Sequence, residues 1–194
     1  MRRLKQLLTQ EPHICPWWLA YTFDNPFRRL VHSPESIFSG RLRSGMTAVD
    51  LGCGMGYFSI AMARITGDSG RVMAVDIQPR MLDVLEKRSE QAGVRHRITT
   101  HCSAGTGGIG LGNHVADLVL AFWMVHEVPE KDAFIREIFD LLRPGGEFLA
   151  VEPKLHVLPE SFEHILNLGR KSGFMVTDFP RIRASHAAWL KKPE

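Results

Sequence analysis

Asp50, Gly52, Gly54 and Gly56 stand at alternate positions in the run Thr47-Ala48-Val49-Asp50-Leu51-Gly52-Cys53-Gly54-Met55-Gly56-Tyr57-Phe58, a pattern suited to holding a cofactor. Glycines lack the Cβ atoms that keep a ligand off the backbone, and they adopt φ values that other residues resist. Apolar residues recur at helical spacing from Tyr57 to Ile65, so the N-terminus of a helix, with its unpaired N–H groups, faces the same ligand. Cys53, inside the loop, reads as a small space-filler rather than a nucleophile.

Two cofactor classes use a strand, a glycine loop and a helix in this order. The dinucleotide fingerprint G-x-G-x-x-G needs glycine at position 57, where this chain has Tyr57, and it delivers a pyrophosphate to the helix dipole. A carboxylate at Asp50 would repel a diphosphate, but it suits a ligand with an ammonium group, such as the methionine end of S-adenosylmethionine. Asp76, which ends the apolar run Val72-Met73-Ala74-Val75, supplies a second acid downstream of the loop. A strand-end carboxylate at this separation accepts hydrogen bonds from both hydroxyls of an adenosine ribose, and Ile77 and Gln78 beside it are walls for the adenine. Capping of the helix that starts at Pro79 is the alternative role for Asp76.

A second group of candidates follows the apolar run Ala116 to Phe122, which empties into Trp123-Met124-Val125-His126-Glu127-Val128-Pro129. Ligands of open parallel sheets sit outside the carboxyl ends of the strands. Phe122 is therefore assigned to the cofactor, and Trp123, Met124 and Glu127 to the acceptor of a transferred group; simple core packing is the alternative for the aromatic and sulfur side chains. His126 is the candidate general base, because an imidazole titrating near neutrality takes a proton from a hydroxyl, amine or thiol, with Glu127 as the group to orient it. A structural histidine bonded to backbone is the competing role. Glu152, Lys154 and His156 face the same end and are expected in a solvated loop.

The elements that must position these residues alternate between strand and helix, which predicts a doubly wound, Rossmann-like α/β sheet. Strands are expected near 47–51, 71–76, 97–101, 116–122 and 147–152, and helices near 57–66, 79–91, 130–142 and 159–172. The turn Arg143-Pro144-Gly145-Gly146 stops a helix and enters a strand, and the last 20 residues form an antiparallel strand pair. Gly105-Thr106-Gly107-Gly108-Ile109-Gly110 also matches G-x-G-x-x-G, but it follows the third strand without a suitable downstream acid and reads as a connection rather than a phosphate site.

Taken in order, VDLGCGMG, VMAVDI, ADLVLAFWMVHEVPE and LLRPGGEFLAVEP resemble the glycine-rich, ribose-binding, fourth-strand and fifth-strand motifs of the class I S-adenosylmethionine-dependent methyltransferases. The resemblance covers roughly residues 45 to 155 and is nearest to small-molecule enzymes of the group that includes ubiquinone and menaquinone biosynthesis methyltransferases. It implies a mostly parallel sheet closed by an antiparallel C-terminal strand, S-adenosylmethionine as cofactor, and methyl transfer to a small-molecule acceptor by direct in-line displacement. Where the family often carries an acid for the adenine, this chain has His101-Cys102-Ser103-Ala104, leaving the Ser103 hydroxyl and the backbone at Ala104 for that task, or Ser103 as a helix cap. Residues 44–194 are then the S-adenosylmethionine-binding domain and residues 1–43 a helical lid or cap. Trp18 and Tyr21, in its aromatic run Pro16 to Leu30, are the candidates for acceptor contact, with packing onto the sheet or a dimer contact as alternatives.

Composition narrows the classes further. A chain of 194 residues with 44% hydrophobic and 23% charged residues is ordinary for one soluble globular domain. Three cysteines without a C-x-x-C pair indicate neither a disulfide framework nor a zinc site. The absence of a long apolar run or a signal-like N-terminus places the protein in the cytoplasm. Residues 1–43 carry seven basic against three acidic residues, a modest excess for nucleic-acid binding that also fits a solvated helix face. The competing functions are an RNA- or protein-modifying methyltransferase docked by this extension and a non-catalytic cofactor-binding domain. No Asn/Asp-Pro-Pro-Tyr/Phe or Pro-Cys motif of the base-modifying enzymes is present. The acceptor and the oligomeric state are not written in the sequence.

Overall fold

The computed structural model describes residues 31–104 and 108–194. The short helix α1 (Pro34–Ile37) leads into β1 (Thr47–Leu51), α2 (Tyr57–Thr66), β2 (Arg71–Asp76), α3 (Pro79–Gln91) and β3 (Ile98–Cys102). Then follow β4 (Ala116–Phe122), α4 (Lys131–Leu141), β5 (Leu142–Pro153), α5 (Pro159–Ser172), β6 (Met175–Asp178) and β7 (Ser185–Lys191). Proline occupies the first turn of α3 and α5, where its missing N–H costs no helical bond.

Among the described residues the strands form one sheet in the order β3-β2-β1-β4-β5-β7-β6. β1, β2, β3, β4 and β5 pair in parallel, and β7 runs antiparallel to both β5 and β6, as the expected C-terminal strand pair requires. The chain moves outward from β1 to β3, then crosses back to place β4 on the other side of β1. That reversal opens a crevice at the carboxyl ends of β1 and β4, where ligands of doubly wound sheets bind.

Both faces of the sheet are covered, so the inner strands are apolar almost throughout. Along β4 the side chains alternate by layer: Leu118, Leu120 and Phe122 join Phe58, Met62, Leu85 and Trp189, whereas Val119 and Ala121 join Ile135, Ile138, Phe162 and Ile165. The fifth strand begins earlier than expected, because Leu142 already pairs with Ala116. The register then shifts, so that Leu118 lies opposite Glu147, and the Arg143–Gly146 turn is absorbed as an irregularity of the strand rather than a loop before it.

From His32 onward the N-terminal extension is part of this core. Phe38 and Leu42 are buried among α2 and the sheet. Arg41 pairs with Glu147 and lies over the Trp189 ring at 5.0 Å. Within the described residues, no helix is long and apolar enough to cross a membrane.

Candidate active site

The glycine loop joins the end of β1 to α2, and its three glycines all have positive φ: 67° at Gly52, 52° at Gly54 and 85° at Gly56. Two are demanded by neighbours as well as by conformation. A Cβ at Gly52 would come within 2.9 Å of Met124 Cγ, and one at Gly56 within 2.6 Å of Leu85 Cγ. At Gly54 a Cβ would meet nothing within 4 Å, so here the loop turns bare backbone toward open space. That open cradle is where a ligand can rest on the chain.

Asp76 stands beside it. Its Oδ2 accepts the Gly54 N–H at 2.9 Å and its Oδ1 accepts the Gln78 N–H at 2.9 Å, so one carboxylate ties the loop to the start of α3. Burial pushes its pKa up, opposed by the backbone N–H groups of Gln78, Gly54 and Ile77. A carboxylate has about four acceptor positions, so Asp76 can still accept a ribose hydroxyl without breaking these bonds. Asp50 is only 2% exposed and accepts a 2.5 Å hydrogen bond from Ser59 Oγ on α2. It lies under the loop. Burial, with the charges of Asp50 and Asp76, raises the Cys53 thiol well above its usual value, which keeps it protonated and unreactive.

The adenine side is less fully built. Ile77 is 39% exposed beside Asp76, as a slot wall would be, and Ala104 is exposed. The Ser103 hydroxyl donates to the Gly108 carbonyl at 2.6 Å. In the second glycine-rich run, Gly105–Gly107 lie outside the described residues, but the Ile109 and Gly110 N–H groups both donate to Glu137 Oε1, at 2.7 and 3.0 Å.

At the mouth of β4 the side chains diverge. Phe122 is buried against Phe58, with ring centroids 4.5 Å apart. Trp123 adopts φ 59°, which costs a non-glycine residue about 1–2 kcal/mol. Its N–H bonds the Val151 carbonyl at 2.7 Å and its indole N–H bonds Ser185 Oγ at 2.9 Å, which offsets that strain. Met124 points the other way, onto Gly52. His32, which no sequence pattern singled out, closes this corner: it bonds the Arg183 carbonyl at 3.0 Å, accepts the Tyr57 hydroxyl on its own carbonyl at 2.8 Å, and sets its ring edgewise on Phe122 and Trp123. Trp18 and Tyr21 lie outside the described residues.

His126 sits in a turn of 3-10 helix after β4, and its partner is not the expected one. Its Nδ1 donates to Glu152 Oε2 at 2.5 Å, while Glu152 Oε1 accepts the Val125 N–H at 2.9 Å. The adjacent parallel strands bring these groups together, with Phe122 opposite Val151. Glu127 Oε1 is 3.9 Å from Nε2, too far to orient the ring. Glu152 is fully buried, so the expectation that it lies in a solvated loop fails, whereas Lys154 and His156 are exposed as expected. The sequence did carry a signal: Glu152 directly continues the apolar run Phe148 to Val151. Burial works to lower the His126 pKa, but the hydrogen bond and charge of Glu152, with the charge of Glu127, outweigh it and raise the net value. With Nδ1 held by Glu152, Nε2 is the nitrogen left to exchange a proton, and the ring lines a cavity of about 830 Å³ between the N-terminal ends of α4 and α5.

A family model for methyltransferase domains matches residues 42–185. A ubiquinone biosynthesis O-methyltransferase of Xanthomonas axonopodis is 30% identical over 184 residues, covering 90% of this chain and 73% of that protein. A ubiquinone/menaquinone biosynthesis C-methyltransferase of Haemophilus ducreyi is 30% identical over 111 residues, or 57% of this chain and 42% of that one. In fold, the chain matches a SAM-dependent methyltransferase structure from Aquifex aeolicus with a TM-score of 0.82 at 20% identity, covering 92% and 99% of the two chains. Open backbone at Gly54 and the strand-end carboxylate of Asp76 fit the cofactor of such enzymes, and the chain belongs to the methyltransferase-domain family, as an enzyme that uses S-adenosylmethionine.

Proposed function

We propose that the protein methylates a small molecule at an oxygen atom, with His126 as the general base that Glu152 holds in place. The observation that carries this reading is the buried Glu152 carboxylate on Nδ1 of His126, whose ring lines the cavity between α4 and α5. Bound over Gly52–Gly56, S-adenosylmethionine supplies an electrophilic methyl group for direct displacement. Asp76, the loop backbone and Ile77 would hold it, and the negative charge of Asp50 would suit its ammonium group. Met124 packs on Gly52 and precedes His126 by two residues, so the segment after β4 joins the cofactor loop to the wall of the cavity. The base removes the acceptor proton and the surrounding walls orient the acceptor, which is where methyl transfer gains most. The relative named an O-methyltransferase, aligned over most of this chain, supports oxygen as the acceptor atom.

His126→Gln tests the role of the base. Turnover of an acceptor found with labelled methyl donor should fall about 100-fold or more, with the affinity for S-adenosylmethionine unchanged. The wild-type rate should rise with pH as Nε2 loses its proton, with an inflection above the ordinary histidine value, because Glu152 raises the pKa. Full turnover and an unaltered pH profile in the variant would remove His126 from the mechanism.

A further inference from the structure

The second glycine-rich run has no part in methyl transfer, yet its end is built around one carboxylate. Glu137 Oε1 on α4 accepts the N–H groups of Ile109 and Gly110, and the glycines at 108 and 110 both have positive φ, 90° and 76°. Contacts as well as conformation demand them. A Cβ at Gly108 would come within 2.5 Å of Glu137 Oε2, and one at Gly110 within 2.9 Å of His101 Nε2. The backbone of residues 108–110 is therefore gripped between α4 and β3. Ile109, 2% exposed, anchors it in the apolar layer that holds Ile135 and Ile138 of α4.

This grip reaches the cofactor side. The Gly108 carbonyl accepts the Ser103 hydroxyl at 2.6 Å, and the Ser103 N–H donates to the Asp76 carbonyl at 3.0 Å, one residue beyond the last β2–β3 pair. Next to it the Cys102 thiol meets the Ile77 carbonyl at 3.9 Å. A continuous set of bonds thus runs from Glu137 to the backbone that borders Asp76 and Ile77, the ribose acid and the adenine wall. A run rich in glycine loses much conformational freedom on ordering. Ordering left to the moment of binding is subtracted from affinity, whereas a loop ordered beforehand by two charge-assisted bonds is not.

Resting on the reading of Gly52–Gly56 and Asp76 as the S-adenosylmethionine site, we propose that Glu137 is a positioning residue of that site. It acts from α4 without touching the cofactor, and it presets the backbone at Ser103 and Ala104 for the edge of the adenine.

The test is calorimetric titration of the full chain with S-adenosylhomocysteine and with S-inosylhomocysteine, whose purine carries a carbonyl in place of the amino group. The wild type should prefer the adenosyl compound by about tenfold or more, because a hydrogen-bonding edge rejects the reversed pattern. In Glu137→Ala the affinity for S-adenosylhomocysteine should fall about tenfold, and the preference should shrink toward parity because the inosyl compound loses less. Glu137→Gln keeps a carbonyl oxygen for both N–H groups and should stay within about threefold of the wild type. Gly108→Ala, at an exposed position, drives a methyl group against the same carboxylate and should reproduce the loss of preference. A purely structural Glu137 would lower the unfolding midpoint and leave the preference intact. Equal affinity of the wild type for the two compounds, or an undiminished preference in both Glu137→Ala and Gly108→Ala, would overturn the proposal. Failure of the wild-type chain to bind S-adenosylhomocysteine is a different result, which would overturn the cofactor reading and this proposal with it.

Discussion

Glu152 shows how one side chain can be costly to the fold and useful to the site. A buried carboxylate loses its hydration, and two donors compensate for it here, the Val125 N–H and the His126 ring. The same contacts fix which imidazole nitrogen is free and hold the pKa of the ring above its ordinary value. In Glu152→Gln the side-chain carbonyl can keep the Val125 bond, but the charge and the strong acceptor on Nδ1 are lost. The inflection of the rate against pH should therefore move to lower pH, read from turnover between about pH 5 and 9. A profile that stays in place would show that Glu152 does not tune His126. Asp76 could be proposed from the sequence because its placement follows from a local spacing after the glycine loop. The pairing of His126 with Glu152 depends on two strands meeting in register, and Glu127, the near neighbour in sequence, was the wrong partner for that reason.

At the scale of elements, the glycine loop separates two demands that look alike in the sequence. Gly56 is closed in by Leu85 of α3, whereas Gly54 faces open space. Gly56→Ala should cost about 1–3 kcal/mol of stability from overpacking, besides the strain of its positive φ, measured by urea unfolding. Gly54→Ala carries the strain alone and should be the milder change for the fold, yet its methyl group enters the ligand's space and should lower cofactor affinity. Equal stability of the two variants would contradict the packing account. The strand and helix periods were readable because each element buries one face or both against the same sheet. The start of β5 was not, since Leu142 joins the sheet through pairing with Ala116 while Pro144 and Gly145 argue locally for a turn.

Across the whole molecule, the candidate site lies at the carboxyl ends of the strands, and the opposite end is tied together by other means. Lys192, buried after β7, donates to the Phe139 and Leu142 carbonyls at 2.6 and 2.8 Å and lies 4.4 Å from the Phe139 ring centroid. It closes the end of α4 against the last strand. Lys192→Met keeps the volume and removes the donor, so stability should fall by about 1–3 kcal/mol in thermal or urea unfolding while cofactor affinity is retained. An unchanged unfolding midpoint would show that these bonds do not hold the end of the sheet. Such long-range closure has no signature in the sequence, because Lys192 reads there as one more lysine near the C-terminus. The central claim, that Gly52–Gly56 and Asp76 form the S-adenosylmethionine site, is tested most directly by calorimetric titration of the wild-type chain and Asp76→Asn. The account predicts one binding site in the wild type and affinity about tenfold or more weaker in the variant, since a charged hydrogen-bond partner is lost. Equal affinity in the two proteins, or no binding to the wild type, would contradict it.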